Sequence, residues 1–255
     1  MKVCILRTAG TNCDVETGFA FERAGAVAEF VHVNQMIRGG AKLSDYQILA
    51  IPGGFTYGDD IAAGKILANE LRYALGEKLR EFIDAGGAIL GICNGFQVLV
   101  KTGMLPGPFA PGAPQKVTLT FNDSAKFEDR WVYLSVPPNA SIFTDGLSRL
   151  YLPVAHGEGK FVAGAAVLRE IAAGRQVVFR YVDADGRPGG YPWNPNGSVD
   201  HIAGICDATG RILGLMPHPE RHALGRQHPR WTREGLREEG DGMAVFRSAV
   251  NYFRR

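Results

Sequence analysis

Residues 91–97 read Gly91-Ile92-Cys93-Asn94-Gly95-Phe96-Gln97, and the fold can be worked outward from them. The apolar run Ala88-Ile89-Leu90 leads in, and the helix-compatible run Phe96-Gln97-Val98-Leu99-Val100 leads out. A strand that turns abruptly into a helix leaves the turn residue strained and exposed at the helix N-terminus. Glycine two residues before and two after avoids collision with neighbouring backbone. The pattern is a nucleophile elbow with cysteine in place of serine. The positive end of the helix dipole favours the thiolate of Cys93 over the thiol.

Such a nucleophile needs a base. His32 lies in the apolar run Phe30-Val31-His32-Val33 and is expected to be a strand residue satisfied in the core. His218 follows Ile212-Leu213-Gly214-Leu215-Met216-Pro217, so it projects from the C-terminal end of a strand, where open α/β sheets build their sites. Glu220 lies two residues on. Flanking prolines hold the segment extended, and extended residues at i and i+2 point the same way. A carboxylate beside an imidazole fixes its tautomer and stabilises the imidazolium. Cys93, His218 and Glu220 therefore read as nucleophile, base and orienter. A metal site on His218, His222 and His228 competes weakly. No cysteine pair has ligand spacing, no carboxylate cluster adjoins, and Pro219 spoils a helical i, i+4 pair, so no metal is expected.

Around these residues the chain alternates. Strands are expected at 2–7, 27–33, 47–51 and 87–92, and helices at 14–24, roughly 60–85 and 94–102. Leu67, Leu71, Leu75, Leu79 and Phe82 fall at helical spacing within the long one. Such alternation implies a mainly parallel sheet with helices on both faces. From Lys116 the texture is β-like, at 116–121, 131–135, 151–154, 177–182, 201–206 and 211–216. Asp207-Ala208-Thr209-Gly210 signals a hairpin between the last two. Residues 242–254 place Met243, Phe246, Val250 and Phe253 on one helical face, suited to core packing.

With 255 residues, 45% hydrophobic, and no internal repeat or linker, the sequence suits one large α/β domain over residues 1–255. A formal charge of +2 gives no sign of a nucleic-acid partner. Cys4, Cys13, Cys93 and Cys206 have no disulfide-framework spacing and suit a reducing cytoplasm. Cys4 and Cys206 lie in apolar strand-like runs and are expected to be buried bystanders. No apolar run is long enough for a signal-peptide core or a membrane span.

Gly-Ile-Cys-Asn-Gly-Phe-Gln with the later Pro217-His218-Pro219-Glu220-Arg221 resembles the class I (triad) glutamine amidotransferases. Gly10-Thr11-Asn12-Cys13-Asp14, Pro52-Gly53-Gly54-Phe55-Thr56-Tyr57-Gly58-Asp59, Ala155-His156-Gly157-Glu158-Gly159-Lys160-Phe161 and Asn194-Pro195-Asn196-Gly197-Ser198 narrow the match. Together, from residue 3 to about 221, they are similar to the glutaminase component of phosphoribosylformylglycinamidine synthase. The resemblance implies a flavodoxin-like central sheet with an added antiparallel portion. It implies L-glutamine as substrate, attacked by Cys93 to give a glutamyl thioester and ammonia. The tetrahedral oxyanion would be met by the Asn94 backbone N–H and, from the neighbouring turn, by Gly54. Gln97 would hold the amino-acid end of glutamine, and Phe55, Tyr57, Gly58, His156 and Gly157 would line or support the pocket.

The resemblance further implies a separate synthetase subunit that binds ATP, magnesium and formylglycinamide ribonucleotide, with a small accessory protein. This chain shows no Gly-x-x-x-x-Gly-Lys phosphate loop, so ATP is expected on the partner. Residues 183–193, Gly/Pro-rich, and 224–241, charged around Trp231, depart from the compact form and are expected as insertions. Trp231 or the 183–193 loop is a candidate contact with the synthetase. The competing readings are an amidotransferase subunit with another acceptor, a cysteine hydrolase, and a non-catalytic regulatory module. The Pro-Gly-Gly-Phe-Thr-Tyr-Gly-Asp segment speaks against the first, Gln97 against the second, and the complete triad against the third.

Overall fold

A computed structural model describes residues 1–110 and 114–255. The first half alternates through β1 (Lys2–Arg7), α1 (Asp14–Arg23), β2 (Val27–His32), α2 (Val33–Ile37) and β3 (Ile48–Ile51). It continues with α3 (Lys65–Tyr73), α4 (Gly76–Asp84), β4 (Ala88–Ile92) and α5 (Asn94–Thr102). The second half holds β5 (Val117–Thr120), β6 (Glu128–Ser135), β7 (Arg149–His156), β8 (Lys160–Ala163), α6 (Ala165–Ala173) and β9 (Val177–Val182). The hairpin of β10 (Ile202–Cys206) and β11 (Ile212–Leu215) follows, then α7 (Trp231–Glu234) and α8 (Met243–Tyr252).

Among the described residues nine strands form one sheet in the order β2-β1-β3-β4-β11-β10-β9-β6-β7, and β5 pairs with β8 in a second. From β2 to β11 the pairing is parallel. From β11 onward it is antiparallel. Strands β3 and β4 are buried along their whole length, as a doubly covered parallel centre requires. The strand order runs one way from β1 to β2 and the other way from β3 to β4. Right-handed crossovers therefore put α1 and α3 on opposite faces. α1 packs beneath α8 through Phe21 and Phe246, whose rings meet edge-on at 4.9 Å. Met243, Phe246 and Val250 of α8 are buried. Asp207 closes the β10–β11 hairpin by accepting the Thr209 and Ile212 N–H groups.

Several expectations change. The region 60–85 is two helices, α3 and α4, broken at Ala74–Leu75; Leu71, Leu75 and Leu79 are buried and keep the apolar period across the break, which hides it in the sequence. His32 is exposed rather than core. It ends the edge strand β2 and caps α2, its Nδ1 accepting the Asn34 N–H at 3.2 Å. β6 and β7 are longer than expected, and β8 and α6 were not foreseen. Cys4 and Cys206 are wholly buried, and burial pushes both thiols up to about 12. No helix among the described residues is long and apolar enough to cross a membrane.

Residues 183–193 form a loop anchored by an Asp183–Arg187 turn, and its Tyr191 lies under the Arg130 guanidinium at 4.7 Å. Residues 224–241 carry α7 and fold back on β7. His228 of this segment lies tilted against Trp131, and His222, just before it, meets Trp131 edge-on while its Nδ1 donates to the Tyr151 carbonyl at 2.8 Å.

Strand β11 lies so close under α5 that a Cβ at Gly214 would stand 2.1 Å from the Phe96 ring. Gly214→Ala is expected to lose about 1–3 kcal/mol through overpacking, seen as a lower urea midpoint with an unchanged slope.

Candidate active site

The loops after β1, β3, β4 and β11 meet at the C-terminal edge of the parallel sheet, the place where such sheets hold ligands. Cys93 is the single residue between β4 and α5, at φ 50° and ψ −104°. A non-glycine residue there is strained. The turn cannot relax, because α5 presses on the neighbouring strand: a Cβ at Gly95 would stand 1.9 Å from the Ile51 carbonyl oxygen. The Cys93 N–H donates to the Leu215 carbonyl at 2.8 Å, which locks the elbow to β11. Its Sγ lies 3.7 Å from the Ala155 carbonyl.

His218 leaves β11 with extended backbone, and its N–H donates to the Pro153 carbonyl at 2.8 Å. Its Nδ1 bonds Glu220 Oε1 at 2.6 Å, and both side chains are buried. Nε2 has no hydrogen-bond partner among the described residues and is the ring nitrogen left for the thiol. Burial opposes charging of the imidazole. The Glu220 carboxylate and then Cys93 more than compensate, holding it well above the ordinary histidine value.

Cys13, from the loop after β1, sits behind the imidazole with Sγ 4.0 Å from Nδ1, and it accepts from Arg221 Nη2 at 3.0 Å. Cys13, His218 and Glu220 are the group among the described residues whose ligand atoms, within 4.8 Å, could hold a metal. Here imidazole and carboxylate bond each other, and the Arg221 guanidinium donates to the Cys13 sulfur.

Gly53 and Gly54 serve different ends. A Cβ at Gly53 would stand 2.8 Å from His218 Cε1, so its absence makes room for the base. Gly54 adopts φ +148°, bridged to Thr11, and its N–H is unused among the described residues. The Asn94 N–H opens α5 and has no intrahelical partner. Gln97 is buried, its Oε1 accepting from Asn94 Nδ2 at 2.9 Å and its Nε2 donating to the Glu158 carbonyl at 2.5 Å.

A pocket of about 160 Å³ opens above Cys93, and Gly54, Phe55, Gln97, His156 and Gly157 all line it. Burial, aided by the nearby His218, pushes His156 down to about 3, so this histidine is neutral. Its Nδ1 donates to Asn122 Oδ1 at 3.1 Å. Asn122 and Asn196 together brace the 156–159 turn, taking the Gly159 N–H and carbonyl.

Tyr57 and Gly58 stand beside the pocket and not in its lining. The Tyr57 hydroxyl donates to Glu70 of α3, and Gly58 makes a left-handed turn. Asp59 and Glu158, with Phe121 and Phe127, line the pocket and were not singled out from sequence. Asp59 and Glu158 lay inside quoted motifs. The two phenylalanines gave no signal, being brought in by the two ends of the loop that joins β5 to β6.

The chain belongs to the CobB/CobQ-like glutamine amidotransferase domain family, which residues 1–253 match. It is 55% identical to a phosphoribosylformylglycinamidine synthase subunit PurQ from Dehalococcoides mccartyi over 257 residues, covering all of this chain and 98% of that one. It is 46% identical to a protein of the same name from Archaeoglobus fulgidus, again covering all of this chain and 98% of the other. Among solved structures, PurLQS from Thermotoga maritima holds a chain that superposes with a TM-score of 0.76 at 31% identity, over 99% of this chain and 98% of that one. A glutamine amidotransferase from the same organism shares the fold at a TM-score of 0.55 and 16% identity.

A histidine whose folded pKa is raised stabilises the fold below its unfolded value of about 6.5, and that contribution is lost as pH rises through the folded pKa. Glu220→Gln removes the main raising charge. The stability advantage of the wild type over Glu220→Gln is therefore expected to shrink from neutral to alkaline pH, read from urea midpoints.

Proposed function

We propose that this chain is the glutaminase subunit of phosphoribosylformylglycinamidine synthase. It hydrolyses L-glutamine to glutamate and ammonia, and passes the ammonia to a synthetase subunit in purine biosynthesis. The observation that carries the chemistry is the strained Cys93 elbow above a buried His218–Glu220 pair, in one pocket with Gln97. Full-length identity to subunits of that name supports the acceptor.

Cys93 gives its proton to His218 Nε2, and the thiolate adds to the glutamine amide carbon. The new oxyanion sits between the Gly54 and Asn94 N–H groups, which are fixed before the reaction and need no reorganisation. As the tetrahedral species collapses, the C–N bond breaks and His218 protonates the leaving nitrogen, releasing ammonia and leaving a glutamyl thioester. His218 then takes a proton from water, whose oxygen attacks the thioester carbonyl. The C–S bond breaks, glutamate departs and Cys93 is restored. Glu220 holds Nδ1 and stabilises the imidazolium in both halves.

Ammonia is mostly protonated in neutral water and is then not nucleophilic, so release inside a complex serves the synthetase. That partner converts formylglycinamide ribonucleotide to formylglycinamidine ribonucleotide with ATP. ATP and magnesium are assigned to it, a small accessory subunit completes the assembly, and the setting is cytoplasmic.

Cys93→Ala is expected to lower glutamate release from glutamine by roughly a thousandfold or more, measured with the synthetase and its nucleotide substrates present. Retained activity would return the chain to a regulatory role. Trp231 is 40% exposed in its charged segment. Trp231→Ala is expected to weaken synthetase binding by about fivefold or more, and unchanged affinity in a titration would remove Trp231 from the interface.

A further inference from the structure

The turn after β3 carries a carboxylate into the Cys93 pocket that the hydrolytic steps do not use. Asp59 is half-buried and lies in a run of left-handed backbone, with Tyr57 at φ 56°, Asp59 at φ 55° and Ile61 at φ 71°. Non-glycine residues adopt that region only when their surroundings hold them there. Here the hold is on the carboxylate. Oδ1 accepts from Asn94 Nδ2 at 2.9 Å and from the Gly64 N–H at 3.2 Å. Both bonds fall on one oxygen, which leaves Oδ2 for a ligand. Asn94 follows the nucleophile directly, and its Nδ2 also donates to Gln97 Oε1. Asp59 is thus keyed to the first turn of α5, the helix whose start presents Cys93.

Glutamine makes two demands on this pocket. Its amide carbon must reach Cys93, and its α-ammonium, on a carbon three bonds away, must find negative charge. One helical turn, about 5.4 Å, separates Cys93 from Gln97, a span that suits those three bonds. The acidic residues lining the pocket are Asp59 and Glu158. Burial holds the Asp59 carboxyl above its ordinary range, and Glu158 adds to this against the two hydrogen bonds. A cation would relieve that repulsion. Glu158 is the less committed of the two, because the bond that ties it to Gln97 runs to its main-chain carbonyl. Phe121 and Phe127 supply the apolar wall against which the methylenes between the two ends can lie.

We propose, building on the glutaminase reading, that Asp59 sets substrate specificity by receiving the α-ammonium of glutamine on Oδ2. A substrate without that group leaves a half-buried carboxylate unpaired, and a site built for a charge-assisted bond rejects such an analogue.

The test compares amide hydrolysis of glutamine with that of glutaramate, which is glutamine without its α-amino group, in the glutaminase–synthetase complex. Wild type should prefer glutamine by on the order of 10- to 100-fold in kcat/KM. Asp59→Asn keeps the shape and the Oδ1 acceptor. It should raise KM for glutamine by about that factor, affect kcat less, leave glutaramate nearly unchanged and so collapse the preference. Glu158→Gln should keep it. Equal losses on both substrates in Asp59→Asn would show a role confined to bracing Asn94 and overturn the proposal. So would collapse in Glu158→Gln alone, or a wild type without preference. A wild type that hydrolyses neither amide would instead overturn the glutaminase reading and the assignment with it.

Discussion

The first turn of α5 rests on the end of β3 with nothing between them. A methyl group at Gly95 would lie 1.9 Å from the Ile51 carbonyl oxygen, and one at Gly91 would lie 2.7 Å from the Gly95 carbonyl oxygen. The chain must therefore reverse from strand to helix within one residue, and Cys93 takes the strain, a burden of about 1–3 kcal/mol. Burial offsets it. Every residue of β4 is buried, as is every residue of α5 except Lys101. The thiol is fixed over the sheet edge because the elements on either side of it cannot move.

The base side is built on different physics. A buried carboxylate–imidazole pair is weak evidence for stability, since desolvation opposes the Coulomb attraction. Its value is orientation. His218 is held by its main-chain bond to Pro153, by Glu220 at Nδ1, and by Gly53, whose missing side chain leaves space against Cε1. The paired glycines thus divide their work: Gly53 admits the imidazole, and Gly54, at φ +148°, leaves its N–H unused among the described residues, as the proposed oxyanion donor must.

Much of this was legible because parallel sheets write their strands as apolar runs and elbows write themselves as spaced glycines. Cys93 could be read from the elbow, and His218 and Glu220 from their place after a strand. The extended backbone expected at 217–221 holds at His218 and not beyond it: Pro219–His222 is a turn of 3-10 helix, and it still brings Glu220 back to the imidazole. His32 could not be placed, since apolar neighbours do not distinguish an edge strand from a central one. The region 60–85 read as one helix because its leucines keep period through the break. Tyr57, expected to line or support the pocket, stands beside it, and Asp59, not singled out, lines it, for a related reason. Left-handed backbone at 57–59 swings the tyrosine toward Glu70 and the aspartate toward Cys93. Nothing in the residue types signals positive φ at a tyrosine or an isoleucine.

The two strained segments are joined through a single side chain. Asn94 Oδ1 accepts the Thr56 N–H and hydroxyl, while Nδ2 donates to Asp59 and Gln97, so the amide uses its full hydrogen-bonding capacity. Aspartate would set a second carboxylate against Asp59 and lose both donors, and an apolar residue would strand four partners. The same residue's main-chain N–H is one of the two donors proposed for the oxyanion. Nucleophile turn, oxyanion donor and the 56–59 loop therefore form one rigid body, and the strain at Cys93 and at 57–61 is held by a common brace.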